Sequence, residues 1–372
     1  MNNRLSWLAL SGWIAAASVM AAAQDGGLWL DPRCQPLEAA KSGPFLQNDD
    51  GSLLTVDKNI LRTSTDGGKT WSEGGEVIDP GINMIPNGHV GQFLRTKDGA
   101  LVILFLDFTK YVFAWDDEKN APKPECMLEL WSIRSTDGGK TWSDKQRLLD
   151  GYNADFMGFI QLKSGRLVAT VEHLSPELCR WLGCSFFSDD AGKTWTRSNW
   201  IDLGGHGHHD GTLEPTVIEQ NDGRLMMFIR TNLDRIWAAW SDDQGANWRV
   251  IQPTDIEASS APAWVTRLRS GRLMMAWNPL HPEGGEWKKS HNRSATEKPA
   301  SWYREELCVT FSDDDAKTWT KPAVVARYPG KSLAYPYLFE RAPGEVWVMT
   351  YYGDPHVAVR LNDKDFAPAQ QP

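Results

Sequence analysis

The chain has 372 residues, of which 41% are hydrophobic, 11% aromatic and 23% charged. This composition is typical of a globular protein and excludes a largely disordered chain. The 48 Asp and Glu residues outnumber the 39 Lys and Arg residues, so the formal net charge is −9. Nucleic-acid-binding domains concentrate positive charge, so this acidic excess argues against nucleic acid as a partner.

Residues 1–23 have the features of a secretory signal peptide. Arg4 supplies a positive charge, an apolar run extends from Leu5 to Val19, and Ala21-Ala22-Ala23 offers small side chains for cleavage. The run is shorter than a transmembrane helix, and no later apolar run approaches the roughly 18 residues that a bilayer requires. We therefore expect a secreted or periplasmic protein without a membrane span.

The cysteine content fits an exported protein with few cross-links. The chain has five cysteines, and only Cys179 and Cys184 are close enough in sequence to suggest a short disulfide loop. Cysteines are often buried, so buried thiols with at most one disulfide are the expectation. No paired Cys-x-x-Cys spacing occurs, and we predict neither a metal site nor a cofactor.

One short motif recurs along the chain. Its pattern is Ser-x-Asp-x-x-x-Thr-Trp, with Asn in place of Thr in one copy, and the five copies begin at Ser64, Ser135, Ser188, Ser241 and Ser312. Ser and Asp side chains accept hydrogen bonds from turn amides, Gly adopts positive φ, and Trp packs back between sheets. The motif therefore predicts a hairpin turn in which the Asp is structural.

Hairpin turns also precede hydrophobic strands at six places. Two-residue turns stand at Asp98-Gly99, Ser164-Gly165, Asp222-Gly223 and Ser270-Gly271, and glycines mark the other two at Gly51 and Gly344. No long stretch has convincing helical periodicity. The sequence therefore predicts an all-β protein, a six-bladed β-propeller of four-stranded antiparallel blades, as a single domain over residues 24–372.

The repeated turn resembles the Asp box of the sialidase superfamily, and the resemblance extends over essentially all of residues 24–372. It implies a glycosidase that acts on an acidic sugar. It also implies roles for residues that match sialidase patterns: Glu214 and Arg230 in blade four, Arg304 eight residues before the last Asp box, and a nucleophilic Tyr335 with Tyr337 as the fallback.

A shared chemistry links these candidates. Sialic acid carries a carboxylate on its anomeric carbon, which would repel a carboxylate nucleophile, whereas a neutral Tyr avoids this repulsion. A phenol with an ordinary pKa near ~10 needs a partner base, and Glu214 is the candidate. Arg230 and Arg304 would bind the substrate carboxylate through paired hydrogen bonds.

The sequence departs from the sialidase pattern in blade one. Residues 42–47 read Ser-Gly-Pro-Phe-Leu-Gln where sialidases have an Arg, and the loop that would carry the acid/base Asp is short at residues 56–59. Nothing in the spacing of Arg62 or Arg95 marks either as the replacement. The third arginine and the proton donor therefore lack an obvious candidate in this segment.

A histidine-rich loop offers other groups for the proton donor. His206, His208, His209 and Asp210 lie just before Glu214, and Asp107, Asp116 and Asp117 lie in the long loop of blade two. Histidine titrates near neutrality and suits acid/base catalysis or substrate contact. Metal binding and a solvated loop are the alternatives for the three histidines.

Three functions are consistent with the sequence. The first is a sialidase-like retaining exo-glycosidase acting on an acidic glycan, expected as a monomer. The second is a polysaccharide lyase or glycosidase for uronic-acid glycans that uses a His/Tyr pair. The third is a non-catalytic glycan-binding propeller whose loops present Trp264, Trp287 and Trp302 to sugars.

Overall fold

A computed structural model describes residues 27–39, 41, 43–78, 92–352 and 356–366. This part of the chain contains six large antiparallel sheets, five of four strands and one of five, and one small two-stranded sheet. The only helices in it are two short 3₁₀ turns. The prediction of an all-β, six-bladed propeller is confirmed. The predicted signal peptide, residues 1–23, lies outside the described residues.

Two short strands precede the first blade, and three blades follow in chain order. The two short strands are β1 (Trp29–Leu30) and β2 (Gln35–Pro36), which join blades five and six respectively. Blade one contains β3 (Phe45–Gln47), β4 (Leu53–Asp57), β5 (Ile60–Ser64) and β6 (Gly75–Glu76). Blade two contains β7 (Gln92–Arg95), β8 (Leu101–Leu106), β11 (Leu130–Ser135) and β12 (Ser143–Leu149). The long loop between β8 and β11 carries a 3₁₀ turn (Phe108–Lys110) and a small hairpin of β9 (Trp115–Asp116) and β10 (Ala121–Pro122). Blade three contains β13 (Gly158–Gln161), β14 (Leu167–Ser175), β15 (Arg180–Ser188) and β16 (Thr196–Arg197).

The remaining blades complete the ring with help from the N-terminal strands. Blade four contains β17 (Leu213–Glu219), β18 (Leu225–Arg230), β19 (Arg235–Ser241) and β20 (Val250–Glu257). Blade five contains β21 (Trp264–Arg267), β22 (Leu273–Trp277), β23 (Glu306–Ser312) and β24 (Ala323–Arg327), with β1 added at its outer edge. Blade six contains β25 (Ala334–Ala342), β26 (Glu345–Tyr352) and β27 (Ala358–Asn362), followed by a 3₁₀ turn (Asp363–Phe366), and β2 is its fourth strand. The ring therefore closes through pairing of the two ends of the described chain.

The hydrophobic core is divided among the contacts between neighbouring blades. Blades one and two share one cluster around Leu101 and Phe105, and blades two and three share another around Leu130 and Phe156. The largest cluster joins blades five, six and one and includes Phe311. Each blade thus buries both faces against its neighbours, which holds the strand ends near the axis in a fixed arrangement.

The repeated Asp residues are turn residues, as predicted. In the first copy the Ser64 hydroxyl donates to Asp66 at 2.8 Å, and Asp66 accepts the amide of Thr70 at 2.9 Å. The last copy has the same pattern, with Asp314 accepting from Ser312 at 2.9 Å and from the Thr318 amide at 2.8 Å. Hydrogen bonds from threonine and serine lower the pKa of Asp66 and Asp314 to about 2.

All five cysteines are buried free thiols, including Cys179 and Cys184. Burial raises the pKa of the Cys34 and Cys184 thiols to about 12, so both stay in the unreactive thiol form. In the described part of the chain, no helix has the length and hydrophobicity to cross a membrane.

The Asp-box carboxylates, such as those of Asp66 and Asp314, have a lower pKa in the folded state than in the unfolded state. They therefore stabilise the fold above pH ~4. That stability is lost as the pH falls through ~4 towards 2. We expect the melting temperature, followed by circular dichroism, to fall steeply over this range. Asp314→Asn should lower the melting temperature at pH 7 and flatten its acid dependence, whereas Asp242→Asn, at an exposed position, should change neither. Equal acid dependence in both variants would contradict this assignment.

Candidate active site

The ends of strands from blades four and six bring three predicted residues together. Glu214 lies at the start of β17, Arg230 at the end of β18 and Tyr335 at the start of β25. Because β17 and β18 are antiparallel, the start of one and the end of the next lie at the same edge of the blade. Leu213 pairs directly with Arg230, the strand register shifts just after Leu213, and the side chains of Glu214 and Arg230 form an ion pair.

Tyr335, Glu214 and Arg230 form a closed hydrogen-bonded group. The Tyr335 hydroxyl donates to Glu214 Oε1 at 2.6 Å, and Arg230 Nη1 donates to Glu214 Oε2 at 2.7 Å and to the Tyr335 hydroxyl at 3.3 Å. The side chains of Arg230 and Glu214 are only 1% and 5% exposed. This ion pair is thus shielded from solvent, where hydrogen bonds to charged groups are strongest.

The backbone at the two reacting candidates is strained. Glu214 has φ of 41° and Tyr335 has φ of 60°, both in the left-handed region that residues with side chains rarely adopt. Such outliers are retained where the surrounding structure fixes them and often occur at functional sites. Here the two unusual residues are the two ends of the shortest hydrogen bond in the group.

Ser260 links the two arginines. Its hydroxyl accepts Nε and Nη2 of Arg230 at 3.2 and 3.1 Å, and its carbonyl accepts Nη2 of Arg304 at 2.7 Å. Arg304 also lies over the rings of Tyr335 and Tyr352, at 5.7 and 5.8 Å. Among the described residues, buried Nε of Arg304 has no hydrogen-bond partner. Arg304 therefore has a donor to spare for an anion, whereas Arg230 is engaged by the protein.

The surroundings of this group favour the neutral form of the Tyr335 phenol and disfavour the charge on Arg304. Burial, and then the charge of Glu214, raise the pKa of Tyr335 well above its ordinary value, so the hydroxyl keeps its proton until a base removes it. Burial, and then the charge of Arg230, lower the pKa of Arg304. A bound anion would relieve the mutual repulsion of the two guanidinium groups.

The histidine-rich loop divides between the site and the surrounding loops. His209 Nδ1 is 2.6 Å from His208 Nδ1, and its ring lies edge-on to Trp302 with centroids 5.2 Å apart. Burial, and then the positive charge of Arg230, hold the pKa of His209 well below its ordinary range. His209 lies close enough to Arg230 and Arg304 for both charges to act on its ring, which makes it the candidate histidine for the site.

The other predicted residues of this loop have different surroundings. His206 Nε2 is 2.7 Å from the carbonyl of Asn120 and lines a separate cavity of about 510 Å³. Asp210 accepts the amides of His206 and Glu297 at 3.1 and 2.8 Å and the Thr296 hydroxyl at 2.8 Å. Asp210 therefore ties this loop to its neighbour instead of extending into the Tyr335 group.

The three aspartates of blade two accept hydrogen bonds that stabilise the loops. Asp107 accepts the amide of Thr109 at the start of the 3₁₀ turn, and Asp116 accepts the amides of Glu118 and Lys119. Asp117 accepts the Ser294 hydroxyl at 2.6 Å. None of these described contacts joins them to Tyr335 or Glu214.

Tyr337 belongs to the core and not to the site. Its hydroxyl accepts the amide of Phe45 at 2.8 Å, and its ring packs edge-on against Trp264. Phe45, in the blade-one segment where an arginine was sought, also stacks on Trp71. An aromatic cluster thus occupies this position, and Trp264 is buried within the core instead of being presented to a sugar.

Neither candidate for the missing arginine reaches the site. Arg62 pairs with Asp57 and with backbone carbonyls of its own blade. Arg95 donates to Asn48 and to the carbonyl of Gln47. Among the described residues, the cations near Tyr335 are therefore Arg230 and Arg304.

Sequence reasoning missed three contributors to the site. Glu172 accepts the Glu214 amide at 2.7 Å, Ser260 links the arginines, and the charge of Asp155 raises the pKa of Tyr335. Asp155 and Ser260 stand shortly before the first strands of blades three and five, and Glu214 stands at the start of the first strand of blade four. That shared position is the signal by which both could have been found.

Comparison with known protein families supports the resemblance to the sialidase superfamily. A model of the BNR repeat-like domain matches residues 102–348, and a BNR/Asp-box repeat matches residues 62–73. The chain belongs to the BNR repeat-like family. Its five Asp boxes and six blades are those of the sialidase and BNR propeller superfamily.

Individual relatives are distant. A sialidase from Micromonospora viridifaciens is 26% identical over 329 residues, which is 82% of this chain and 47% of the relative. The chain thus spans about half the length of the curated relatives that it matches. A Dyadobacter fermentans protein of unknown function superimposes with a TM-score of 0.57 at 19% identity, covering 89% of this chain and 98% of that one. The Hadza microbial sialidase Hz136 gives 0.55 at 18% identity, covering 86% and 65%.

The two arginines should respond oppositely to removal. Arg230→Met leaves Glu214 as an unpaired buried charge, which should reduce the free energy of unfolding by about 3–5 kcal/mol. Arg304→Met removes a cation that lies against another cation, so the melting temperature should stay the same or rise. Chemical denaturation of both variants measures this difference. A larger loss of stability in Arg304→Met than in Arg230→Met would contradict the assigned division of roles.

Proposed function

We propose that this BNR propeller is a sialidase-like retaining exo-glycosidase that releases a terminal acidic sugar of the sialic acid type from glycoconjugates. The observation that carries the proposal is the 2.6 Å hydrogen bond from the hydroxyl of the partly buried Tyr335 to Glu214. A phenol held against a carboxylate and beside two arginines suits a sugar whose reacting carbon bears a negative charge. Residues 1–23 add the proposal that the enzyme acts outside the cytoplasm. We propose separately that it is a monomer.

Each residue has a role in this reaction. The oxygen of Tyr335 attacks the anomeric carbon as its proton passes to Glu214, and the bond to the leaving sugar breaks. Arg304 binds the substrate carboxylate, and Arg230 keeps Glu214 and Tyr335 aligned. Water then cleaves the tyrosyl–sugar bond, and Glu214 returns the proton to the Tyr335 oxygen.

His209 is the candidate for protonating the leaving oxygen and later deprotonating the water. The positive charge of the arginines contributes to its lowered pKa in the free protein. A carboxylate bound at Arg304 would offset that charge and raise the pKa of His209 towards the range where imidazolium donates a proton. Substrate binding would thus favour the protonated form of His209, which can donate to the leaving oxygen.

A second candidate function is cleavage of a uronic-acid glycan by a lyase or glycosidase. Two observations favour it: the blade-one position of the arginine holds Phe45, and a His208–His209 pair lies beside the arginines. In that reaction Arg304 would neutralise the uronate, while His209 and Tyr335 would move protons.

Two assays separate these functions. The purified protein is incubated with a fluorogenic sialoside and, in parallel, with uronate polysaccharides whose cleavage by a lyase gives an absorbing unsaturated product. Release of sialic acid supports the sialidase proposal. An absorbance increase, or new reducing ends on the uronate substrate without sialic acid release, supports the second. If neither substrate is cleaved, a glycan-binding propeller is the remaining function.

Removing one hydroxyl tests the nucleophile. Tyr335→Phe should lower kcat by at least 10³-fold because the attacking oxygen is lost. Tyr337→Phe is the matched control: it loses the hydrogen bond to the Phe45 amide, about 1 kcal/mol of stability, but should keep kcat. Steady-state kinetics and melting curves of both variants measure the two effects. Tyr335→Phe with ordinary turnover would exclude Tyr335 as the nucleophile.

A second pair of variants tests the proton donor. His209→Gln should lower kcat by about 10²–10⁴-fold because proton transfer to the leaving oxygen is lost. His206→Gln should change kcat by less than about threefold, since His206 lines the separate cavity. A substrate with a leaving group that needs no protonation should restore much of the activity of His209→Gln. Equal effects of the two substitutions would argue against His209.

A further inference from the structure

The strand that carries Glu214 has an irregularity beside the site. In β17, Leu213 pairs with Arg230 and Thr216 pairs with Phe228, and the register shifts between them. Glu214 and Pro215 therefore lie in a bulge with no direct partners in the ladder. A buried amide or carbonyl released in this way needs another partner.

Blade three supplies both partners. Glu172 Oε2 accepts the amide of Glu214 at 2.7 Å, and the Thr170 hydroxyl donates to the carbonyl of Pro215 at 2.5 Å. Thr170 and Glu172 are two residues apart on β14, so both side chains point to the same face of the sheet. Both are buried, at 0% and 1% exposure. We refer to these two side chains as the β14 clamp.

We propose that Glu172 is a positioning residue for the Tyr335–Glu214 pair, and that the β14 clamp fixes the bulge so that the Glu214 carboxylate faces the tyrosine hydroxyl. This inference deepens the proposed function and rests on it. Glu172 touches neither Tyr335 nor Arg230 through a described hydrogen bond, so it acts through the backbone of Glu214. The left-handed φ of 41° at Glu214 is the conformation that the clamp maintains.

The surroundings of Glu172 suggest a close isostere for the test. Burial, and then the charge of Glu214, raise the pKa of Glu172 well above its ordinary value, with Asp155 adding to the rise and Arg230 opposing it. The neutral carboxyl is therefore favoured, and glutamine resembles it in shape and retains an oxygen that accepts the Glu214 amide. Methionine has a similar volume but only a weak acceptor.

Kinetics on the sialoside distinguish positioning from simple support of the fold. Glu172→Met should lower kcat at least tenfold with little change in KM, because Arg304 still binds the carboxylate. Glu172→Gln should recover kcat to within about threefold of the wild type. Thr170→Val, which removes the second clamp bond, should lower kcat by about three- to tenfold. Equal kcat in Glu172→Met and Glu172→Gln, with both folded, would overturn the proposal.

Amide hydrogen exchange gives a readout that does not depend on activity. In the wild-type protein the Glu214 amide should exchange at least 10²-fold more slowly than the exposed amides of nearby loops. Glu172→Met should accelerate that exchange at least tenfold, and Glu172→Gln should not. Fast exchange of the wild-type Glu214 amide would overturn the clamp even if Glu172→Met does not fold.

The two readouts also separate failure of the clamp from failure of the proposed function. If the protein has no glycosidase activity but its Glu214 amide is protected through Glu172, the β14 clamp is supported and the sialidase proposal is contradicted. If the enzyme is active but its Glu214 amide is unprotected, the sialidase proposal is supported and the β14 clamp is contradicted.

Discussion

The hydrogen bond between the Tyr335 hydroxyl and the Glu214 carboxylate is the contact on which the candidate site depends. At 2.6 Å and partly buried, it couples a phenol whose proton is held tightly to a carboxylate that can accept that proton. Arg230 holds both partners and is itself held by Ser260, so this arginine is part of the internal structure. Among the described contacts, Arg304 donates to the Ser260 carbonyl and lies over the ring of Tyr335.

The propeller accounts for how four distant segments reach one point. Each blade buries its faces against its neighbours, so the loops before the inner strands and the end of β18 are fixed at one edge of the ring. Blade four supplies Glu214 and Arg230, the loops of blade five supply Ser260 and Arg304, and blade six supplies Tyr335. The strain at Glu214 and Tyr335 is tolerated because these rigid sheets determine the backbone on both sides.

The fold could be predicted from the sequence because its signal is repeated. Five Asp boxes and six hairpins specify the blades through local turn chemistry, which requires no knowledge of distant contacts. The resemblance to sialidase patterns singled out Glu214, Arg230, Arg304 and Tyr335, and the fold brings Glu214, Arg230 and Tyr335 into one hydrogen-bonded group. The fallback, Tyr337, lies two residues further along β25 and packs in the aromatic core, a difference that the sequence pattern does not show. Glu172 and Ser260 were missed because their roles depend on a bulge and a carbonyl that only the folded chain reveals.

Covalent trapping tests the central role of Tyr335 most directly. A fluorine-substituted sialosyl fluoride should form a slowly hydrolysed tyrosyl–sugar bond in the enzyme. Tryptic digestion would place this adduct on the peptide 332–341, which contains both Tyr335 and Tyr337, and fragmentation would distinguish the two. Our account predicts the sugar on Tyr335. An enzyme that releases sialic acid but is labelled at another residue, or remains unlabelled while the reagent inactivates it, would contradict that account.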